Sequence, residues 1–545
     1  MDRDRRVRIY DAHSWTGISL GLVLFVVCFT GSLAMFARDL QTWEDPARRL
    51  PLVADPIAID PLFQQWVESE ATEHEAEVTF MGMNYPTAEA PFFRGNVNLR
   101  DPDGVVHFHQ QRWDPATGAV IPDRQDGLAT WVLDFHRDLM WPEFLGGRQI
   151  GRGLVGIFGI VMMLSILTGI ITHRKILREM FTLRLRRSVR VKWKDGHNAL
   201  GVWTLPFSIM IAFTGAWLGI IVLLLPVTGM LVVKGDSEKL IALLSGPQIE
   251  ATGEAAPMIS LDEIARRSHS SGDGRLPTAV FIQHYGDTSA VYDIQYKPDT
   301  ELMYSESERI NGVTGAALPL TGLQERTAAT RTLGAITPLH YGLFGGVALK
   351  CLYLALGLAL SVVVVLGNMV WIERRWHSAE GSRSPNFYHR LSQLTVGVSM
   401  GVVLASVAIF YADRLYTGAE ESRIVFIGQM YFLAWFATIV FSFLRSNNYQ
   451  TVRFLMRACG AGLMALPVFD ALTAGATPWA EFATGHVAAP AINATLFVLG
   501  LGCVMVAQRM PRERREYLGK RKRDAAPDTG AAEAEQSAGA TTQTA

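Results

Sequence analysis

Long uncharged runs alternate with polar stretches along this chain, and the runs have the length of helices that cross a bilayer. Residues 16–36, 154–172, 199–233, 351–372, 391–411, 424–444 and 482–508 carry no formal charge, and 458–480 carries only Asp470. A bilayer core of about 30 Å is spanned by roughly 20 apolar residues in a helix, because unpartnered backbone groups are too costly in hydrocarbon. The pattern therefore predicts eight spans. Two long polar segments, near 37–147 and 235–336, interrupt them and show the period-two alternation of strands. Each ends in a turn signal, Asp114-Pro-Ala-Thr-Gly118 in the first and Asn311-Gly-Val-Thr-Gly315 in the second. Such turns are common singly, but their recurrence at matching places points to a repeat.

Basic residues set the orientation, since arginine and lysine favour the cytoplasmic side of short loops. Arg3, Arg5, Arg6 and Arg8, the 174–194 loop, Arg374-Arg375, Arg445 with Arg453, and Arg512 to Arg523 all fall on one side if eight spans alternate. Both termini are then cytoplasmic and both long polar segments lie outside. The first run is too long for a signal-peptide core and is read as a retained helix. The predicted organisation is an N-terminus and first span (1–36), a first outer domain (37–147), the second span, a basic loop and the third span (148–234), a second outer domain (235–336), the fourth span (337–372), four additional spans (386–509), and a basic, then disordered tail (510–545).

At 49% hydrophobic and 19% charged, the 545 residues are too apolar for most soluble proteins. The fold class expected is an α-helical polytopic membrane protein with two small α+β outer domains. Cys28, Cys351, Cys459 and Cys503 all lie in apolar runs, so no disulfide framework is expected, and no Cys-x-x-Cys-His for covalent haem attachment occurs.

The chain says nearly the same thing twice. His13-Ser-Trp-Thr-Gly17 leads through an apolar run to Phe29-Thr30-Gly31, and His197-Asn-Ala-Leu-Gly201 leads to Phe213-Thr214-Gly215. His136 precedes Gly146-Gly147 and a span, as His340 precedes Gly345-Gly346 and a span. The unit of helix, outer domain and helix thus occurs twice in the same orientation over residues 7–372. Parallel repeats of this kind relate by an axis along the membrane normal, which puts equivalent residues at equal depth. The four later spans show no such match and look like a separate appendage.

Among thirteen histidines, His74, His107, His109, His269 and His284 fall in the outer domains, where ordinary polar roles suffice. His107 and His109 share one strand face and could bind metal, but lack a third ligand. His377, His389 and His486 carry no signal. Five remain: His13, His173 and His197 at cytoplasmic ends of spans, and His136 and His340 at outer ends. Ionisable residues at such places mark a pathway or a cofactor. Paired neutral imidazoles at two depths suit haem iron with two axial histidines, His136 with His340 outside and His13 with His197 inside, with His173 able to replace either inner ligand. Gly17, Gly31, Gly169, Gly201, Gly215, Gly345 and Gly346 would permit close approach of helices or a porphyrin. Arg148 and Arg152 outside, and Arg174 or Lys175 inside, could pair with propionates.

The order of His13 to Gly31, His136, Thr168-Gly169-Ile-Ile-Thr-His173-Arg-Lys, His197 to Gly215 and His340 to Gly346 resembles the PepSY-associated transmembrane family. Within it the chain looks like the bis-haem ferric-siderophore reductases of the bacterial inner membrane. The resemblance implies two haem b cofactors, PepSY-like periplasmic domains, and delivery of electrons from a cytoplasmic or quinol donor to ferric iron held by a chelator in the periplasm. Rival readings are a haem-free PepSY protein whose outer domains bind an envelope partner or protease, and a transporter built on the repeat.

Overall fold

The computed structural model describes residues 2–122, 127–173, 175–184, 187–236, 239, 249–270, 276–297, 302, 306–320, 324, 327–376, 385–474, 482 and 487–510. The predictions made for Arg174, His377, His486 and the 511–545 tail lie outside the described residues. In chain order the elements are α1 (Arg3–Ala34), α2 (Ala37–Glu44), α3 (Asp60–Glu73), β1 (Glu77–Asn84), β2 (Phe93–Arg100), β3 (Val106–Trp113), β4 (Val120–Ile121), α4 (Leu128–Asp138), α5 (Gly147–Thr172), α6 (Ile176–Glu179), α7 (Val189–Trp203), α8 (Leu205–Val232), α9 (Leu261–Ser270), β5 (Pro277–Gln283), β6 (Val291–Tyr296), β7 (Glu306–Asn311), β8 (Ala317–Leu318), α10 (Ala328–Tyr341), α11 (Gly346–Trp376), α12 (Pro385–Leu415), α13 (Arg423–Leu444), α14 (Asn448–Ala474) and α15 (Ala488–Arg509).

Eight helices among the described residues, α1, α5, α8 and α11 to α15, are long and apolar enough to cross a membrane. One boundary differs from the sequence reading. The uncharged run 199–233 is two helices rather than one, parted at Thr204. Pro206 sits in the first turn of α8, where its missing N–H needs no partner but cannot continue α7. His197 therefore stands on α7, ahead of the span. His136 and His340 likewise stand on the short helices α4 and α10, which turn into α5 and α11 through Gly146 and Gly346 at φ +96° and +59°.

The polar segments form one sheet. Its strand order is β4-β3-β2-β1-β5-β6-β7-β8, all antiparallel, so the two copies join edge to edge where Gly82 faces Phe281. The recurring turns match bond for bond: the Gly118 N–H donates to the Asp114 carbonyl at 2.8 Å, and the Gly315 N–H to the Asn311 carbonyl at 2.9 Å. Alternate residues such as Met81, Val97, Trp113, Val280 and Ile294 turn to one face, where Phe63 and Trp66 of α3 and Leu261 and Ile264 of α9 complete a buried core. The two helices cap each other. The Asp262 carboxylate accepts from the N–H groups of Ile59 and Asp60 at 2.9 and 3.2 Å, and the Asp60 carboxylate accepts from Leu261 at 3.1 Å. A carboxylate there meets otherwise unpaired donors at the positive end of a helix.

The later spans are not set apart, as their lack of repeat had suggested. Trp131 and Phe135 of α4, stacked on each other, meet Tyr431 and Trp435 of α13 in tilted and edge-on contacts. At the same end, Arg414 of α12 pairs with Asp470 of α14 at 2.8 Å and lies over the Trp43 ring at 3.9 Å. Asn493 of α15 links the Trp43 indole N–H and the Asp470 carboxylate, at 3.0 and 2.8 Å. These buried polar partners tie α12, α14 and α15 to α2.

Candidate imidazole-pair sites

Four of the five singled-out histidines meet in two pairs. The rings of His136 and His340 have centroids 6.3 Å apart and planes inclined by 20°. Those of His13 and His197 are also 6.3 Å apart, inclined by 64°. Two imidazoles that share a metal between facing nitrogens, each bonded at about 2.0–2.1 Å with its ring centre roughly 1 Å further back, have centroids about 6 Å apart. Both pairs are spaced for one metal ion between them.

The same device seats each ring. His136 rests on Gly31 of α1, where an added Cβ would lie 2.6 Å from the imidazole, and His340 rests on Gly215 of α8 at 3.0 Å. His13 rests on Gly169 of α5 at 3.4 Å, and His197 on Gly367 of α11 at 3.1 Å. A glycine also leaves open the carbonyl one turn before it. His136 Nδ1 donates to Val27 O at 3.0 Å, His13 Nδ1 to Ser165 O at 3.0 Å and His197 Nδ1 to Val363 O at 2.9 Å. Each acceptor stands four residues before the glycine concerned. At the fourth ring, Thr214 spends its hydroxyl proton on Met210 O at 2.8 Å and so accepts from His340 Nδ1 at 2.9 Å.

With every Nδ1 acting as donor, each neutral ring keeps its Nε2 lone pair free, and among the described residues those four Nε2 atoms have no hydrogen-bond partner. An imidazole anchored through one nitrogen to a carbonyl presents the other as an oriented metal ligand. Burial pushes the imidazole of His136 down to about 4 and that of His340 down to about 3, so both are neutral near pH 7.

A cavity of about 320 Å³ opens beside the outer pair, walled by Leu24, Phe158, Met162, Phe207 and Leu360 and reached by Arg137 and Arg152. Arg152 is the better placed of the two arginines singled out above, because its Nε is buried without a partner. Arg148 is engaged by Asp134 at 2.7 Å and Asp138 at 3.3 Å instead. A flat apolar group with carboxylates fits this chemistry: apolar walls, two imidazoles with free Nε2 atoms, and an arginine with an unpartnered Nε at the edge.

His173 caps α5 beside the inner pair without joining it. Both its ring nitrogens are buried with no hydrogen-bond partner, the nearer carboxylate being Glu179 at 3.6 Å. Gly17 and Gly346 have nothing within 4 Å of an added Cβ, and Gly201 touches only Val363 at 3.9 Å, so these three bed no ring. The sequence reading passed over Gly367, although it stands four residues before Trp371 at the end of the fourth span, as Gly169 stands four before His173 at the end of the second. In the sheet layer, His107 is paired with Asp101 at 2.9 Å, and His284 donates to Ile249 O at 2.7 Å.

Comparison with known proteins bears on the same stretch of chain. The pattern described as the PepSY-associated TM region matches residues 10–374. The uncharacterized protein PA4219 of Pseudomonas aeruginosa is 25% identical over 383 residues, covering 68% of this chain and 91% of that protein.

Proposed function

Given that the chain belongs to the PepSY-associated TM family, we propose that it is an oxidoreductase of the bacterial inner membrane that carries electrons across the bilayer on two b-type haems and reduces ferric chelates, such as ferric siderophores, in the periplasm. The electron donor in this reading is a cytoplasmic reductase or a quinol. The observation that supports it best is the pair of pairs: two sets of neighbouring imidazoles, equally spaced, each ring with Nδ1 bound and Nε2 free.

His136 with His340 would hold the outer haem, and His13 with His197 the inner one. Bound there, haem iron would supply reversible one-electron chemistry. The protein's own part is to orient and to insulate. The carbonyl and threonine partners hold each ring in one tautomer, and the glycines bring the helices close enough for the rings to face each other. Apolar walls line the cavity beside the outer pair, and Arg152 offers charge for a propionate. The two layers are separated along α1 by the eighteen residues from His13 to Gly31, about 27 Å at helical rise. That distance is close to the thickness of the bilayer core, so the pairs would sit near its two faces. At the substrate, reduction of iron weakens a chelate built from hard oxygen ligands, which suit the more highly charged ferric ion. No side chain need donate or remove a proton.

The test is stopped-flow mixing of the chemically reduced, purified protein with ferric chelates under anaerobic conditions. The proposal expects reoxidation of a b-type spectrum at a rate that rises with ferric chelate and is absent with the gallium(III) chelate of the same ligand. A protein with no reducible haem spectrum would favour the haem-free partner-binding reading, and one whose haem is indifferent to every ferric chelate would overturn the reductase assignment.

A further inference from the structure

Away from both imidazole pairs, α3 and β3 bring Glu70, His74 and His109 together. Glu70 lies in the last turn of α3 and His74, four residues on, is the residue that caps the helix C-terminus. His109 projects from β3 toward that helix, on the strand face that carries buried Trp113. His109 Nδ1 lies 2.9 Å from Glu70 Oε2, and His74 Nε2 lies 3.6 Å from the same oxygen. The two imidazole rings are 4.6 Å apart between centroids. One donor atom from each of the three residues falls within 4.8 Å of the others.

We propose that these three residues form a site for a first-row divalent cation of the Zn²⁺ or Fe²⁺ type, with water completing the coordination. Two imidazoles and one carboxylate with an open side are a donor set such ions accept, and ligand oxygens and nitrogens at about 2.0–2.2 Å from zinc stand roughly 3.4 Å from one another in a tetrahedron. The 2.9 and 3.6 Å separations already bracket that value. The 3.6 Å contact is too long to be a hydrogen bond, so Glu70 does not satisfy His74 by itself.

A further feature distinguishes the group from a chance surface cluster. The indole N–H of Trp66, on the same helix, donates to Glu70 Oε1 at 2.9 Å. That bond leaves Oε2 as the oxygen turned to both histidines and fixes the carboxylate plane, as an outer-layer partner does for a metal-bound carboxylate. The side chains of Glu70 and His109 are about three-quarters buried, at 23% and 24% exposed, while His74 at 46% forms the open edge where the ion and its water would enter. Trp66 itself is part of the buried core, so the site is anchored to the core of the sheet layer.

The experiment uses the purified full-length protein with its bundle sites unaltered, titrated with Zn²⁺ alone by calorimetry, then with Co²⁺ as an optical probe and with Fe²⁺ under anaerobic conditions. The proposal expects one Zn²⁺ per chain with micromolar or tighter affinity, and visible Co²⁺ absorption of four- or five-coordinate intensity. His109→Gln and Glu70→Gln should each weaken binding at least tenfold, and Trp66→Phe by a smaller factor, while the absorption of the bundle stays unchanged. Equal Zn²⁺ affinity in wild type and the Glu70→Gln/His109→Gln double variant would overturn it, as would Co²⁺ absorption of purely six-coordinate intensity. Failure here leaves the imidazole pairs of the bundle untouched, because those share no residue with this site.

Discussion

At the scale of single residues, the account rests on glycines that lie under rings belonging to other elements. Thr30-Gly31 and Thr214-Gly215 were legible in the sequence as repeated motifs, but not as seats for His136 and His340, because the histidines they receive are more than a hundred positions away. Replacing Gly31 by leucine puts a side chain where the His136 ring is, so Gly31→Leu should halve the haem content and spare the inner site; haem quantification per chain checks this. His173→Ala should retain both haems, since the ring paired with His197 at 6.3 Å is that of His13. Loss of the inner haem in that variant would move the axial ligand to His173. A titration belongs here too. Arg184 holds the Asp195 carboxyl below the usual carboxylate range, through bonds of 2.6 and 2.9 Å. A lowered folded-state value means the contact stabilises at every pH above the unfolded value, and the benefit fades only as pH falls below about 4. The gap in thermal stability between wild type and Asp195→Asn should therefore be flat from neutral pH upward and close in acid; a gap that closed between pH 6 and 8 would contradict this.

At the scale of elements, the spans were readable from charge-free runs, because a bilayer forces length and composition together. What was not readable is how short helices hang between them. Only Pro206 hinted that α7 and α8 are separate, and nothing in the sequence says that α4 leans on α13. That contact gives α13 a structural part at the outer pair, since the aromatic cluster of Trp131, Phe135, Tyr431 and Trp435 packs against the helix that carries His136. Phe135→Ala empties a fully buried position next to the ligand, a change that costs about 3–5 kcal/mol in well-packed cores. Its expected signature is a loosened outer haem, with a shifted potential or partial loss, beside an unchanged inner one. The reciprocal Asp60 and Asp262 caps make a second prediction. Each cap removed by alanine should cost about 0.5–2 kcal/mol, with the two losses less than additive because each carboxylate serves the other's helix; calorimetric melting of the two single and the double variants would show it.

At the scale of the whole molecule, the duplication seen in the histidines extends to the sheet, whose strand order reads the same from either edge. The sequence carried both halves, down to the matching Thr-Gly turns, yet the edge pairing of β1 with β5 is a non-local choice that alternation alone does not determine. One continuous sheet and one reciprocally capped helix pair join the two halves. The central claim is that His136 with His340, and His13 with His197, each hold one haem. The most direct measurement is haem content and the reduced-minus-oxidised spectrum of purified wild type beside the four single His→Ala variants. The account predicts two b-type haems per chain in wild type, loss of the same haem in His136→Ala and His340→Ala, and loss of the other in His13→Ala and His197→Ala. Wild type without a Soret band, or variants of one pair losing different haems, would contradict it.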